Sequence, residues 1–178
     1  MKDFNFIKRI CLSFLLFIMP LFVFAAEKPR WVAQPVYVFI PEYGNISNLM
    51  RRAFQEWEDK SGELIRFRFV NKPSNANITV NFVERVTNCN SPLAVGCSRM
   101  KQRGGQYYAC QLDIAMKRFD NNVYRPIDNI YGVMLHEIGH AIGLGHSQNS
   151  KSIMYPYDLP SIQYLTPDDL QLIYKKYH

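Results

Sequence analysis

The apolar residues Ile46, Leu49, Met50, Ala53, Phe54 and Trp57 recur at three- and four-residue steps, the spacing of one helix face, and Gly62 marks where that helix stops. Ahead of it, Val36 to Ile40 reads as a strand halted by Pro41. Behind it, Ile65, Phe67 and Phe69 alternate with Arg66 and Arg68, and Ile78, Val80 and Phe82 repeat the alternation, so two half-buried strands are predicted. Tyr107 to Met116 predicts a further strand with mixed faces. A second long helix is predicted over Tyr131 to Leu144, capped by Asp128 or Asn129. In the last helix Thr166 caps, Pro167 takes the first helical position, and Asp168 and Asp169 complement the positive helix end. Leu170, Ile173, Tyr174 and Tyr177 make one of its faces. No repeat, linker or low-complexity stretch interrupts the pattern. The predicted class is α+β: a twisted, mostly parallel sheet against two long helices, with a small C-terminal lobe after His146 that carries the terminal helix.

The first 26 residues do not belong to that pattern. Lys2, Lys8 and Arg9 precede an apolar run from Ile10 to Phe24 broken by Ser13 and Pro20, and Val23-Phe24-Ala25 places small residues at cleavage-site spacing. Residues 1–26 therefore read as a secretory signal, with export to the periplasm or the medium. The alternative is an uncleaved N-terminal anchor, but the run is short of the ~20 apolar residues of a span, so no stable membrane insertion is expected once the leader is cut. Residues 27–178 fit one domain of ordinary size. The chain carries 21 Lys and Arg against 15 Asp and Glu; without the leader's three bases and one acid, 18 and 14 remain, a net charge of +4. The bases are scattered and form no stripe, which excludes a nucleic-acid surface from the expected partners. Of the four cysteines, Cys11 lies in the leader. Cys89, Cys97 and Cys110 allow one disulfide and one odd thiol in an exported domain. A hairpin at Gly104-Gly105 can set Cys97 opposite Cys110, and a Cys89–Cys97 loop is equally reachable.

The chemistry concentrates in eleven residues, His136-Glu137-Ile138-Gly139-His140-Ala141-Ile142-Gly143-Leu144-Gly145-His146. On a helix, residues four apart share a face, so His136 and His140 can grip one Zn²⁺. Glu137 sits beside the first ligand, placed to act as a general base without ligating. Gly143 allows a left-handed exit from the helix, which returns His146 to the same ion as third ligand. Three protein ligands leave one position open, the mark of a catalytic rather than a structural zinc. Ordinary composition produces the five fixed positions by chance in roughly one chain in 10⁴ to 10⁵.

The string H-E-x-x-H-x-x-G-x-x-H is the zinc signature of metzincins, and Ser152-Ile153-Met154-Tyr155-Pro156 resembles the matrixin version of their Met-turn. Ser147, directly after the third histidine, also resembles a matrixin. The likeness extends over Trp31 to Ile40 as first strand, Asn45 to Val70 as first helix and second strand, Ala76 to Val80 as third strand, and Thr166 to Tyr174 as closing helix. The resemblance implies a metzincin catalytic fold with an active-site helix and a backing helix. It implies Met154 as a hydrophobic base beneath the histidines, and Pro156 and Tyr157 as a wall of the pocket for the side chain just after the cut. It also implies Asp168 and Asp169 as structural supports tying the last helix to the Met-turn and the N-terminal end.

The family pattern also breaks in places. Typical matrixins hold a structural zinc through upstream histidines; none stands between residues 1 and 135, so one catalytic zinc is expected. Their calcium loop is not recognisable either. Asp113, Asp120, Asn121 and Asp128 are candidate Ca²⁺ ligands, with surface solvation the preferred reading. About five residues separate the expected cleavage site from Trp31, too few at ~3.5 Å each to form an inhibitory propeptide. Activity would then be limited by zinc loading, by compartment or by a separate inhibitor.

The resulting expectation is a monomeric, secreted zinc endopeptidase acting on an extended peptide or protein, with Glu137 as base and hydrophobic residues such as Leu, Ile or Met after the cut. The rival readings are an exported peptide-binding module on a metzincin shell, and a zinc amidase acting on cell-wall peptides.

Overall fold

The computed structural model describes residues 28–178 apart from 88, 90, 92, 119 and 158–161; the expected leader, residues 1–26, lies outside the described residues. The helical stripe that opens the pattern becomes α1, Asn45–Lys60, whose Met50, Ala53, Phe54 and Trp57 are fully buried. Gly62, with φ 64°, takes the left-handed turn that ends it.

Among the described residues, five strands form one sheet: β1 Val36–Phe39, β2 Phe67–Val70, β3 Ile78–Val83, β4 Gly96–Arg103 and β5 Gln106–Ala115. Their spatial order is β2-β1-β3-β5-β4. All neighbours are parallel except β4, which runs antiparallel to β5 at one edge. Gly104 and Gly105, both at positive φ, make the β4–β5 turn. Two further helices follow, α2 Ile127–Ala141 and α3 Pro167–Tyr177. Helix α2 packs on α1, β4 and β5, and the Trp57 indole N–H donates to the Leu135 carbonyl at 2.9 Å, fixing the two long helices to each other. No helix among the described residues is long and apolar enough to cross a membrane.

Several expectations need correction. Helix α2 begins at Ile127 and ends at Ala141, earlier at both ends than Tyr131 to Leu144. Neither Asp128 nor Asn129 caps it: Pro126 precedes the first turn, no side chain caps it, and Asp128 lies inside that turn as a charge complement. The first strand is four residues long, and Trp31 serves instead as a docking side chain, 3% exposed. In α3, Ile173 is buried while Tyr174 is 53% exposed and stacks on His178. The hairpin forms where expected, but its register sets Cys97 opposite Asp113 and Cys110 opposite Met100. The disulfide joins Cys89 to Cys97, and Cys110 is a buried free thiol.

Candidate active site

Helix α2 carries His136, Glu137 and His140 into a cleft of about 960 Å³ between the β4 edge and the C-terminal lobe. His136 Nδ1 lies 2.6 Å from the Ile153 carbonyl, and His140 Nδ1 lies 2.9 Å from the Leu144 carbonyl. A carbonyl only accepts, so both rings hold their proton on Nδ1 and present a lone pair on Nε2. His146 arrives from the turn after the helix, and its Nε2 lies 3.1 Å from that of His140. One ligand atom from each of the three rings falls within 4.8 Å of the others. Burial, and then the neighbouring His136, hold His140 down at about 4, so it is neutral at pH 7, the form that ligates a metal. Three imidazoles converging on one point, with no fourth protein ligand beside them among the described residues, fit a zinc ion with an open position.

The turn that returns His146 depends on Gly143. Its φ is 90°, and a Cβ there would lie 2.3 Å from Lys176 Cε and 2.8 Å from the Tyr107 ring. The helix carbonyls freed at this exit are all taken. Gly143 N donates to His140 O at 2.8 Å and Leu144 N to Gly139 O at 2.9 Å. The Trp31 indole donates to Ala141 O at 2.7 Å and the Tyr177 hydroxyl to Ile142 O at 2.9 Å.

Met154 is fully buried, in a tight turn closed by Tyr155 N donating to Ser152 O at 3.1 Å. It reaches α2 at Gly139, where a Cβ would meet the Met154 sulfur at 2.2 Å. The turn is held by Asp169, also fully buried, which accepts from the Ser152 hydroxyl, from Ile153 N at 3.2 Å and from Thr166 N at 2.8 Å. Thr166 and Asp169 form a reciprocal capping box on α3. Asp168 accepts from Asn149 Nδ2 at 2.5 Å. Both acids therefore meet the loop that carries Met154. Pro156 and the exposed Tyr157 line the cleft, as do Val133 and Ile162.

Glu137 is 5% exposed and lines the same cleft. Sequence reasoning missed the two β4 residues that hold it. The Ser98 hydroxyl lies 2.5 Å from Glu137 Oε2 and 2.9 Å from the Glu137 carbonyl. At Gly96 a Cβ would stand 2.4 Å from both Glu137 Cγ and Oε1, so only glycine leaves room for the carboxylate. A glycine inside a strand signals such a close approach, but this polar edge strand carries no alternation that would announce it. Burial pushes the Glu137 carboxyl up to about 7; the Ser98 hydrogen bond opposes that and the Asp113 charge adds to it.

The remaining candidates lie apart from the histidines. Asp113 accepts from Arg99, from Asn81 Nδ2 at 2.7 Å and from Gln111 Nε2 at 3.1 Å. Asp120 meets Arg118, and Asn121 accepts from Val123 N. Burial pushes the Cys110 thiol well above its ordinary range, so it stays protonated.

The site can be set beside known proteins. Macrophage metalloelastase of Rattus norvegicus is 28% identical over 160 residues, covering 83% of this chain and 32% of that protein. Interstitial collagenase of Oryctolagus cuniculus is 29% identical over 164 residues, covering 85% and 32%. Metalloendoproteinase 1 of Glycine max is 27% identical over 178 residues, covering 88% and 55%. The chain thus spans about a third of the length of the two animal relatives and about half of the plant one. The family model described as Matrixin matches residues 40–178, a span that takes in the histidine trio, the Met-turn and the closing helix. With that match, the chain belongs to the matrixin family.

Proposed function

We propose that the protein is an exported zinc endopeptidase. The observation that carries the reading is the convergence of the His136, His140 and His146 ring nitrogens beside a buried carboxylate in an open cleft. Zinc held by those rings supplies a Lewis acid for the scissile carbonyl and an activated water at neutral pH.

The protein's own groups perform the rest. An extended peptide adds to the free edge of β4, since β5 occupies only its other side. Glu137 accepts the proton of the attacking water and passes it to the leaving amine nitrogen. Ser98 fixes the carboxylate's rotamer for that exchange, and Gly96 leaves the space in which it turns. Pro156 and Tyr157 receive the residue after the cut, favouring Leu, Ile or Met. The basic start and apolar run of residues 1–26 support export, as does the Cys89–Cys97 disulfide, which suits an oxidising compartment.

The test is cleavage of fluorogenic peptides by purified residues 27–178, with and without a chelator. Chelator-sensitive cleavage is expected. Glu137→Ala is expected to retain zinc and lose at least ~10²-fold in turnover. Near-normal turnover in that variant, or peptide binding with no cleavage by the wild type, overturns the reading.

A further inference from the structure

The two ends of the cleft differ in charge. Toward the start of α2 it is bounded by Val133 and by Ile162, which lies against Gly132, and Pro156 and Tyr157 also line it, all without charge. Past the helix exit it is bounded by Lys28, Tyr107 and Lys176. Among the described residues that line the cleft, Glu137 carries the one carboxylate, so no cleft-lining acid stands beside these lysines.

Lys176 is held in place. Its stem lies over Gly143, where a Cβ would stand 2.3 Å from Cε, and its ammonium sits 5.8 Å from the centre of the Tyr107 ring. Burial, with repulsion from Lys28 and Arg30, holds that ammonium below the ordinary lysine range. An anion arriving there relieves the repulsion and meets a donor already fixed in position. The β4–β5 turn lies toward the same end: Arg30 N donates to Gly105 O at 3.3 Å, and Tyr107 N to Arg30 O at 2.9 Å. Strand β4 approaches that turn through the exposed Lys101 and Arg103. A peptide antiparallel to β4 therefore has its C-terminal part near Gly96 and its N-terminal part near these cations.

We propose that the Lys28–Lys176 end of the cleft is a subsite for an acidic side chain on the N-terminal side of the scissile bond. The favoured substrate is thus a segment with Asp or Glu upstream of the cut and an apolar residue just after it. This rests on the endopeptidase reading and on Pro156 and Tyr157 taking the residue after the cut.

The experiment uses peptides matched in every position but one. Glu, Gln or Lys is placed in turn at the second, third and fourth positions before a fixed Leu, and kcat/KM is measured at low and at high salt. At one position Glu is expected to exceed Gln by about tenfold, the scale of one charge-assisted hydrogen bond, with the gap narrowing in salt. Lys176→Met is expected to bring the Glu peptide down to the Gln peptide and to leave the Gln peptide unchanged. Lys176→Glu is expected to favour the Lys peptide, and Lys28→Ser to halve the preference on a logarithmic scale. Equal cleavage of Glu and Gln peptides at all three positions overturns the subsite while the endopeptidase reading stands. So does an equal loss on both peptides in Lys176→Met when Lys28→Ser leaves the preference intact. If no peptide is cut, the endopeptidase reading fails, and binding of the same peptides to Glu137→Gln decides the subsite alone.

Discussion

At the scale of single residues, the geometry around Glu137 separates three roles that the motif merges. On the proposed endopeptidase reading, Glu137 exchanges the proton, Ser98 orients its carboxylate, and Gly96 provides the volume. The roles respond differently to substitution. Gly96→Ala drives a methyl into Glu137 Cγ and Oε1 at 2.4 Å, and the carboxylate has to leave its position against Ser98. Displacements of about 1 Å at a reacting group cost up to ~10²-fold in rate, so kcat is expected to fall on that scale with zinc content and circular dichroism unchanged. Ser98→Ala leaves the carboxylate in place but free to rotate; a loss of about tenfold in kcat at unchanged KM is expected, with recovery in Ser98→Thr, which keeps the hydroxyl. A KM change without a kcat change would instead place Ser98 in substrate contact.

At the scale of elements, α3 is joined at its start to the Met-turn and at its end to the exit of α2, through groups that the sequence names only one at a time. Asp169 is fully buried and accepts from Ser152, Ile153 and Thr166, so it binds the Met-turn to the first turn of α3. Asp169→Ala leaves those donors unmatched in the interior and is expected to cost about 3 kcal/mol, read as a lower midpoint in chemical denaturation. Tyr177→Phe leaves the Ile142 carbonyl without its donor and is expected to cost about 1 kcal/mol. The capping signal at Thr166 was legible because a cap is local: four consecutive residues specify it. The zinc helix was legible for a related reason, since spacing along one helix decides which side chains share a face. Its first turn was not, because Asp128 and Asn129 resemble caps while the chain enters through Pro126. Strand β4 was the hardest to read. Its Gly-Cys-Ser-Arg-Met-Lys-Gln-Arg sequence lacks apolar alternation, and its partnership with Glu137 spans 39 residues of sequence.

Over the whole molecule, the edge strand beside the cleft is secured by two links of different chemistry. Arg99 on β4 pairs with Asp113 on β5, and the Cys89–Cys97 disulfide ties the start of β4 to the segment before it. The hairpin register made the pairing of the cysteines, since it leaves Cys97 and Cys110 three positions apart across the ladder; spacing in the sequence could not decide it. Burial raises the Asp113 carboxyl, but hydrogen bonds from Asn81, Arg99 and Gln111 outweigh this and leave it below the ordinary range. A carboxyl depressed in the folded state stabilises fully above its unfolded value, about 4, and that stability is lost as pH falls through the folded value. Asp113→Asn is therefore expected to flatten the acid limb of the stability curve below about pH 4, measured by denaturant midpoints across pH. The disulfide acts independently of pH. Closing a loop of eight residues' separation restricts the unfolded chain by about 2.5 kcal/mol. Its position matters further, because Cys97 lies between Gly96 and Ser98, the two residues that hold Glu137. Cys89→Ser with Cys97→Ser is expected to lose that stability and, below the unfolding transition, to lose turnover as well, since β4 is then free to draw Ser98 away from Glu137. Full turnover in the folded double variant would show that β4 keeps its place through the ladder with β5 alone.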